Sequence, residues 1–219
     1  KILYILPLTC IFLIPTLHRT VMPERFVEHY GGGTWFKAAF LHTFTFLALS
    51  FLLVNPPFGD IAAPELASKW TVITDDGEDI TYPHAMATSG STITWYTDGA
   101  DALAGDAWLL FGLMDNVNSD GAIVEVTREF QANETLREDN ISFWTTNAER
   151  IANGTSTSNK SAPNLTPHDD LDQPFSIYLG ADLEEGTHEI RVTITEQGDP
   201  WENVQEYTWK LVITSDPAP

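Results

Sequence analysis

An uncharged apolar stretch, residues 38–54, constrains this chain more than any other feature of its sequence. A helix of about 20 apolar residues spans a bilayer, and about 17 is a practical minimum. A second uncharged run, residues 2–17, contains Pro7 and Pro15. Because it lacks a small-x-small cleavage pattern, we expect a retained helix rather than a removed signal peptide. The sequence therefore predicts two transmembrane helices, at about 2–17 and 38–54, in a helical hairpin over residues 1–55.

The loop between these two runs predicts the orientation of the hairpin. Arg19, Arg25 and Lys37 lie in this loop, residues 18–37, and basic residues in short loops favour the cytoplasmic side. A cytoplasmic loop places everything after residue 55 outside. We therefore expect a multi-pass protein of the cell membrane whose C-terminal domain is extracellular.

One face of the second run carries small and weakly polar side chains at helical spacing. Small side chains let helices approach closely in membranes, and His42 lies only five residues beyond Lys37, close to the predicted membrane surface. We interpret this stripe as a packing surface for the first helix or another subunit, rather than a proton or metal site. Its members are Ala38, Ala39, His42, Thr45 and Leu49.

The charge of the chain changes sharply after the second run. Residues 1–55 carry a net charge of +2, whereas residues 56–219 carry 7 basic and 29 acidic side chains, a net charge of −22. Such a surface repels nucleic acid and anionic lipid headgroups, which excludes both as partners of the acidic part. Its tryptophans argue for a folded core rather than disorder: Trp70, Trp95, Trp108, Trp144, Trp201 and Trp209.

Beyond a linker, residues 56–68, apolar residues recur at every second position. Ile190, Val192 and Ile194 are the clearest row, and we expect them to face inward. Short strands between Gly-, Asp- and Asn-rich turns predict an all-β domain, a β-sandwich over residues 69–219. The predicted strands are 69–74, 91–97, 108–114, 122–130, 141–146, 173–179, 187–195 and 206–214, with 108–114 apolar enough for a central strand covered on both faces.

The C-terminal segment resembles a known family. Residues 183–214 read LEEGTHEIRVTITEQGDPWENVQEYTWKLVIT, which is similar to the last two strands of archaeal and bacterial extracellular immunoglobulin-like domains, including polycystic-kidney-disease-type repeats. Residues 140–156 resemble an internal hairpin of such domains. The resemblance implies an immunoglobulin-like β-sandwich with a role in adhesion, spacing or docking, and it implies no catalytic residues. Such a fold does not by itself determine function.

Five Asn-x-Ser/Thr triplets lie within 34 residues of this domain and predict N-glycosylation of at least one asparagine. The alternative is that a Ser-, Thr- and Asn-rich loop over residues 153–168 produces such triplets by chance. The asparagines are Asn133, Asn140, Asn153, Asn159 and Asn164.

One segment has the alternate spacing of oxygen ligands in a calcium loop. Gly121 would permit the sharp turn, but Asn rather than Asp stands first and Thr127 replaces the closing Glu. An Asx-rich turn explains the residues equally well, so both interpretations stay open. The candidate calcium ligands are Asn116, Asn118 and Asp120.

Another acidic group, residues 75–79, is interpreted as a hairpin turn because it contains Asp-Gly.

No cysteine follows Cys10, which excludes disulfides and cysteine-based metal sites in the acidic part. Calcium aside, the sequence predicts no cofactor.

The Gly-x-Ser-x-Gly motif and the Walker phosphate-binding motif are absent from this sequence. His188 and Glu189 are followed by Val192, where a zinc-protease motif needs histidine. We therefore expect a non-enzymatic, membrane-anchored surface protein that acts in adhesion, in envelope structure or in docking to other membrane or envelope proteins.

Two helices before an outer β domain also resemble subunit II of haem-copper oxidases, but the cysteines of that family's copper centre are missing. An accessory subunit of a larger membrane complex is the alternative.

Overall fold

The computed structural model describes residues 9–116, 121–136, 141–156, 158, 160–168 and 170–219. The chain forms two compact units, residues 1–60 and residues 61–219, called here the helical unit and the β unit. In the helical unit a 3₁₀ turn, Cys10–Leu13, leads into α1, Ile14–Val21. A single-turn helix, α2, covers Glu24–Val27, and α3 covers Gly32–Leu53.

Among the described residues, α3 is the one helix long and apolar enough to cross a membrane. It begins inside the loop predicted over residues 18–37, and it ends before Pro56, which cannot continue a helix. The expected second spanning helix is not found in the described residues. The predicted segment 2–17 lies partly outside them, and the apolar stretch Cys10–Val21 is shorter than a membrane span.

The predicted packing stripe on α3 is only partly covered within the helical unit. Ala38, Ala39 and His42 are half-buried, whereas Thr45 and Leu49 are exposed. The half-buried residues recur at three- and four-residue spacing, so they mark one face of the helix. The opposite face carries exposed phenylalanines.

The β unit contains nine strands in its described residues. They form two sheets, ordered β2-β1-β4-β7 and β3-β9-β8-β5-β6. Neighbouring strands are antiparallel except for β3 and β9, which run parallel. The strands are β1 Glu65–Asp75, β2 Ile80–Thr81, β3 Thr92–Tyr96, β4 Ala102–Met114, β5 Ile123–Glu129, β6 Asn133–Leu136, β7 Gln173–Glu184, β8 Gly186–Glu196 and β9 Asn203–Thr214.

The two sheets share one apolar core, as the alternating sequence pattern predicted. Ile190, Val192 and Ile194 on β8 are completely buried. Trp70 on β1 stacks on Trp209 on β9, with ring centroids 4.8 Å apart. A buried aromatic pair contributes about 0.5–1.5 kcal/mol beyond its buried area, so this contact holds the two sheets face to face.

β4 is covered on both faces, which its nearly continuous apolar sequence predicted. Leu109 and Phe111 lie in the shared core, whereas Leu110 lies in a second apolar cluster on the other face. That cluster is completed by α4, Ile141–Ala152, whose Phe143 stacks on Trp108 of β4 at 3.8 Å.

Helix α4 corrects two predictions, the strand at residues 141–146 and the hairpin over residues 140–156, which are both wrong. Aromatic and β-branched residues in this segment are typical of strands. The adjacent residues Phe143 and Trp144 both pack against the second cluster, whereas successive side chains of a strand would point to opposite faces, so tertiary packing overrides local propensity here.

Strand pairing begins earlier in the chain than the sequence indicated. β1 starts at Glu65, within the linker predicted over residues 56–68. The side-chain amide of Asn203 donates a hydrogen bond of 2.8 Å to the carbonyl of Ala62. Residues assigned to the linker are therefore part of the β unit.

Candidate functional site

The candidate calcium ligands are not brought together by the described residues. Asn116 lies just after β4 with its side chain exposed. Asn118 and Asp120 lie outside the described residues, so the choice between a calcium loop and an Asx-rich turn stays a prediction.

Two of the five predicted glycosylation asparagines have described and exposed side chains, Asn153 after α4 and Asn164 in the following loop. The backbone beside each is anchored: Thr155 exchanges hydrogen bonds with Ile80 and Tyr82, and Leu165 is buried in the second apolar cluster. A sugar on either asparagine would therefore project into solvent. Asn133 starts β6, and its side chain lies outside the described atoms, as do Asn140 and Asn159.

The acidic residues 75–79 form the hairpin between β1 and β2, as predicted. The Asp76 carboxylate accepts hydrogen bonds from the N–H groups of Glu78 and Asp79. Asp75 binds the Arg150 guanidinium of α4 through two hydrogen bonds of 2.6 and 3.0 Å. Partial burial acts to raise the pKa of Asp75, but its bonds to Arg150 and Gly77 hold that pKa below its ordinary value. This group is structural.

The strongest candidate site is a cavity of about 500 Å³ between the open edges of the two sheets, called here the edge cleft. One wall comes from β5, β6 and their connection, and the other comes from the end of β7. Both β6 and β7 are the last strands of their sheets. The lining residues are Arg128, Phe130, Gln131, Ala132, Glu134, Ala181, Asp182, Leu183, Glu184 and His188.

Charged groups in the edge cleft are held by specific hydrogen bonds. Arg128, whose side chain is 16% exposed, pairs with Glu134 at 2.5 Å. The Glu184 carboxylate accepts a bond of 2.9 Å from the Gln131 amide. Asp182 accepts a bond of 3.0 Å from the N–H of Gly105, and its positive φ of 48° places it in a conformation that few residues adopt. The carboxylates are thereby fixed on the two walls.

His188 lies beneath the edge cleft and is almost completely buried. Its Nε2 lies 2.9 Å from the carbonyl oxygen of Glu184 and must donate to it, so Nδ1 carries the lone pair of a neutral ring. In the described residues Nδ1 has no hydrogen-bond partner. The ring of Phe130 stacks on the imidazole at 4.1 Å.

Burial lowers the pKa of His188, and the positive charge of Arg128 lowers it further, although the Glu184 carbonyl acts in the opposite direction. The imidazole is therefore neutral at pH 7. A neutral buried ring with a backbone partner is typical of a structural histidine.

Sequence reasoning did not find the other members of the edge cleft. Arg128 and Glu134 come from adjacent paired strands, whereas Asp182 and Glu184 come from the other sheet. The site exists because two sheet edges meet, and no local motif encodes such a meeting. Gly186 is a weak signal: its φ of 139° and the Phe130 ring, 2.6 Å from where a Cβ would lie, require glycine there.

No protein-family model matches this chain, and no curated protein matches it either. The resemblance to immunoglobulin-like domains therefore rests on the sequence segments that carry it, and the fold itself supports only a predominantly β unit with two sheets.

Proposed function

We propose that this chain is a membrane-anchored docking protein. In this proposal α3 crosses the bilayer, and the β unit, an immunoglobulin-like β-sandwich outside the cytoplasm, binds other membrane or envelope proteins without catalysing a reaction. The observation that carries the proposal is the contrast between α3, which buries none of its residues, and the acidic β unit with its complete core. An apolar helix needs an apolar solvent, whereas a highly charged surface needs water.

A row of exposed phenylalanine rings supports insertion of α3. Phe36, Phe40 and Phe44 recur at four-residue spacing and are 72%, 63% and 61% exposed. The 22 residues of α3 extend over about 33 Å at about 1.5 Å per residue. That length is enough to cross the apolar core of a bilayer, which is about 30 Å thick.

Charge asymmetry supports an external β unit. Arg19, Arg25 and Lys37 precede or open α3, and the chain after α3 is strongly acidic. Basic residues are retained on the cytoplasmic side. Exposure of Asn153 and Asn164 also suits glycosylation on the outer side. A multi-pass topology additionally requires residues 2–17 to form a second span.

The edge cleft supports binding rather than catalysis. None of its lining residues is Ser, Thr, Cys or Lys, and its imidazole lies behind the Phe130 ring. A hydroxyl, thiol or amine nucleophile for covalent catalysis is therefore absent from this lining. Fixed carboxylates beside an apolar surface are better suited to holding a partner's side chain.

An accessory subunit of a larger membrane complex is the second candidate. The small and weakly polar stripe on α3 favours it, because its Thr45 is exposed and small polar side chains let spanning helices of other subunits approach closely.

Extraction in mild detergent followed by mass analysis tests the proposal. Docking predicts an integral membrane protein whose partners dissociate as salt is raised, since salt screens contacts to an acidic surface. Stoichiometric multi-span proteins that resist salt would favour the accessory subunit instead. Release of the chain from membranes by an alkaline wash would overturn the anchor.

A further inference from the structure

We propose that the edge cleft binds the side chain of a lysine or arginine presented by an extended segment of a partner protein. The inference rests on the docking role proposed above and names the chemistry that the partner supplies.

The charge of the edge cleft favours a cationic ligand. Its lining contains one permanent cation, Arg128, and three carboxylates, Glu134, Asp182 and Glu184. Arg128 is paired with Glu134, and among the described residues the hydrogen-bond donors to Asp182 and Glu184 are neutral N–H groups. A carboxylate accepts several hydrogen bonds, so both groups retain acceptor capacity for an incoming ammonium or guanidinium. The β unit around them is itself strongly acidic.

The apolar part of the lining favours a long side chain over a bare ion. Leu183, which is 4% exposed, and the ring of Phe130 line the same cavity as the carboxylates. Lysine and arginine have an aliphatic stem that packs on apolar surface and a charged head that reaches polar groups. An aromatic ring adds attraction for the cation. A hydrated metal ion would gain nothing from these contacts.

The strands that border the edge cleft favour an extended partner segment. β6 pairs only with β5, and β7 pairs only with β4, in the described strands. An edge strand presents backbone N–H and C=O groups along its outer side, and an extended peptide can add to it. Alternate side chains of an added strand point to one face, so one of them would enter the cavity.

Binding of a model peptide to the full chain in nonionic detergent tests the inference. The probe is a capped nine-residue peptide of alternating threonine and valine with lysine at its centre, and the same peptide with norleucine serves as the reference. We expect the lysine peptide to bind, and the norleucine peptide to bind about tenfold more weakly, because it keeps the stem and loses the charge. Titration calorimetry gives both dissociation constants.

Two variants locate the binding. Glu184→Gln keeps an acceptor for Gln131 and removes one charge, and should weaken the lysine peptide about fivefold. Glu125→Gln is the matched control, because Glu125 is exposed on β5 outside the cleft lining, and it should leave binding within about twofold. Thermal melting of each variant verifies that it is folded.

Three results would overturn the inference: no binding of the lysine peptide, equal binding of both peptides, or equal weakening by both variants. Its failure is distinguishable from failure of the docking role. If the native partner co-purifies with the wild-type chain and the lysine peptide does not bind, docking stands and the cleft inference is wrong. If the lysine peptide binds in a Glu184-dependent manner and no partner co-purifies, the binding chemistry stands and the docking role is wrong.

Discussion

At the scale of single residues, the Arg150–Asp75 pair is the clearest polar contribution to stability. Arg150 ties α4 to the β1–β2 hairpin through two hydrogen bonds to one carboxylate, and the Asp75 side chain is 12% exposed. Paired guanidinium and carboxylate groups with this geometry are stronger than single surface ion pairs. Removing one partner leaves the other charge poorly solvated.

We predict that Arg150→Met lowers the free energy of unfolding by about 1–3 kcal/mol at neutral pH. The pKa of Asp75 is lowered in the folded state. The stability from this pair is therefore present above the ordinary aspartate pKa and is lost as the pH falls through the folded value. The difference between wild type and variant should shrink as the pH falls below the ordinary aspartate pKa, as measured by urea unfolding. Arg191→Met, whose side chain is 61% exposed, is the control and should cost below about 1 kcal/mol. A pH-independent difference would contradict the account.

His188 makes the β unit sensitive to mild acid. Its pKa is lowered by burial, so the unfolded chain takes up a proton before the folded chain does. The stability that the neutral His188 ring contributes should therefore be fully present above the ordinary histidine pKa and should decline as the pH falls from there toward the folded value.

His188→Gln should make the melting temperature less dependent on pH between about 8 and 5. His168→Gln, at an exposed position, should leave the wild-type dependence unchanged. Parallel curves for wild type and His188→Gln would show that the imidazole is not the titrating group.

At the scale of elements, period-two patterns predicted strands reliably where one face of the strand is buried and the other is exposed to solvent. β8 and β9 show this, with Ile190 and Trp209 inward and Arg191 and Lys210 outward. The pattern did not distinguish α4 from a strand, because Phe143 and Trp144 suit either element. The edge cleft was likewise beyond prediction, since it depends on which strands end each sheet.

A glycine near the end of β4, Gly112, marks a close approach that the apolar pattern did not reveal. A Cβ on Gly112 would lie 2.5 Å from the carbonyl oxygen of Leu165 and 2.8 Å from the Thr166 side chain. We predict that Gly112→Ala destabilises the protein by about 1–3 kcal/mol, because backbone must move to accommodate the methyl group. Gly121→Ala is the control, since no atom of the described residues lies within 4 Å of its Cβ position. Unfolding in urea measures the change in the free energy of unfolding for both variants. Equal and small changes would contradict the prediction, because they would show that the backbone around Leu165 moves aside at little cost.

At the scale of the whole molecule, the sequence predicted a membrane-anchoring segment followed by an acidic β domain, and the structure contains one span-length helix and a two-sheet β unit. The number of spans depends on residues 2–17, which lie partly outside the described residues. A short apolar segment with two prolines, such as residues 2–17, suits a spanning helix and a shorter helix equally well, and its sequence pattern does not distinguish the two. The proposed orientation across the bilayer follows mainly from the distribution of charge.

Cysteine labelling in intact cells tests the central claim, that α3 anchors an external β unit. In a Cys10→Ser background, Lys210→Cys places a thiol at an exposed position of β9, and Lys37→Cys places one in the first two turns of α3. A membrane-impermeant maleimide should label Lys210→Cys in intact cells and Lys37→Cys only after permeabilisation. The reverse pattern, or labelling of both positions only after permeabilisation, would contradict the account.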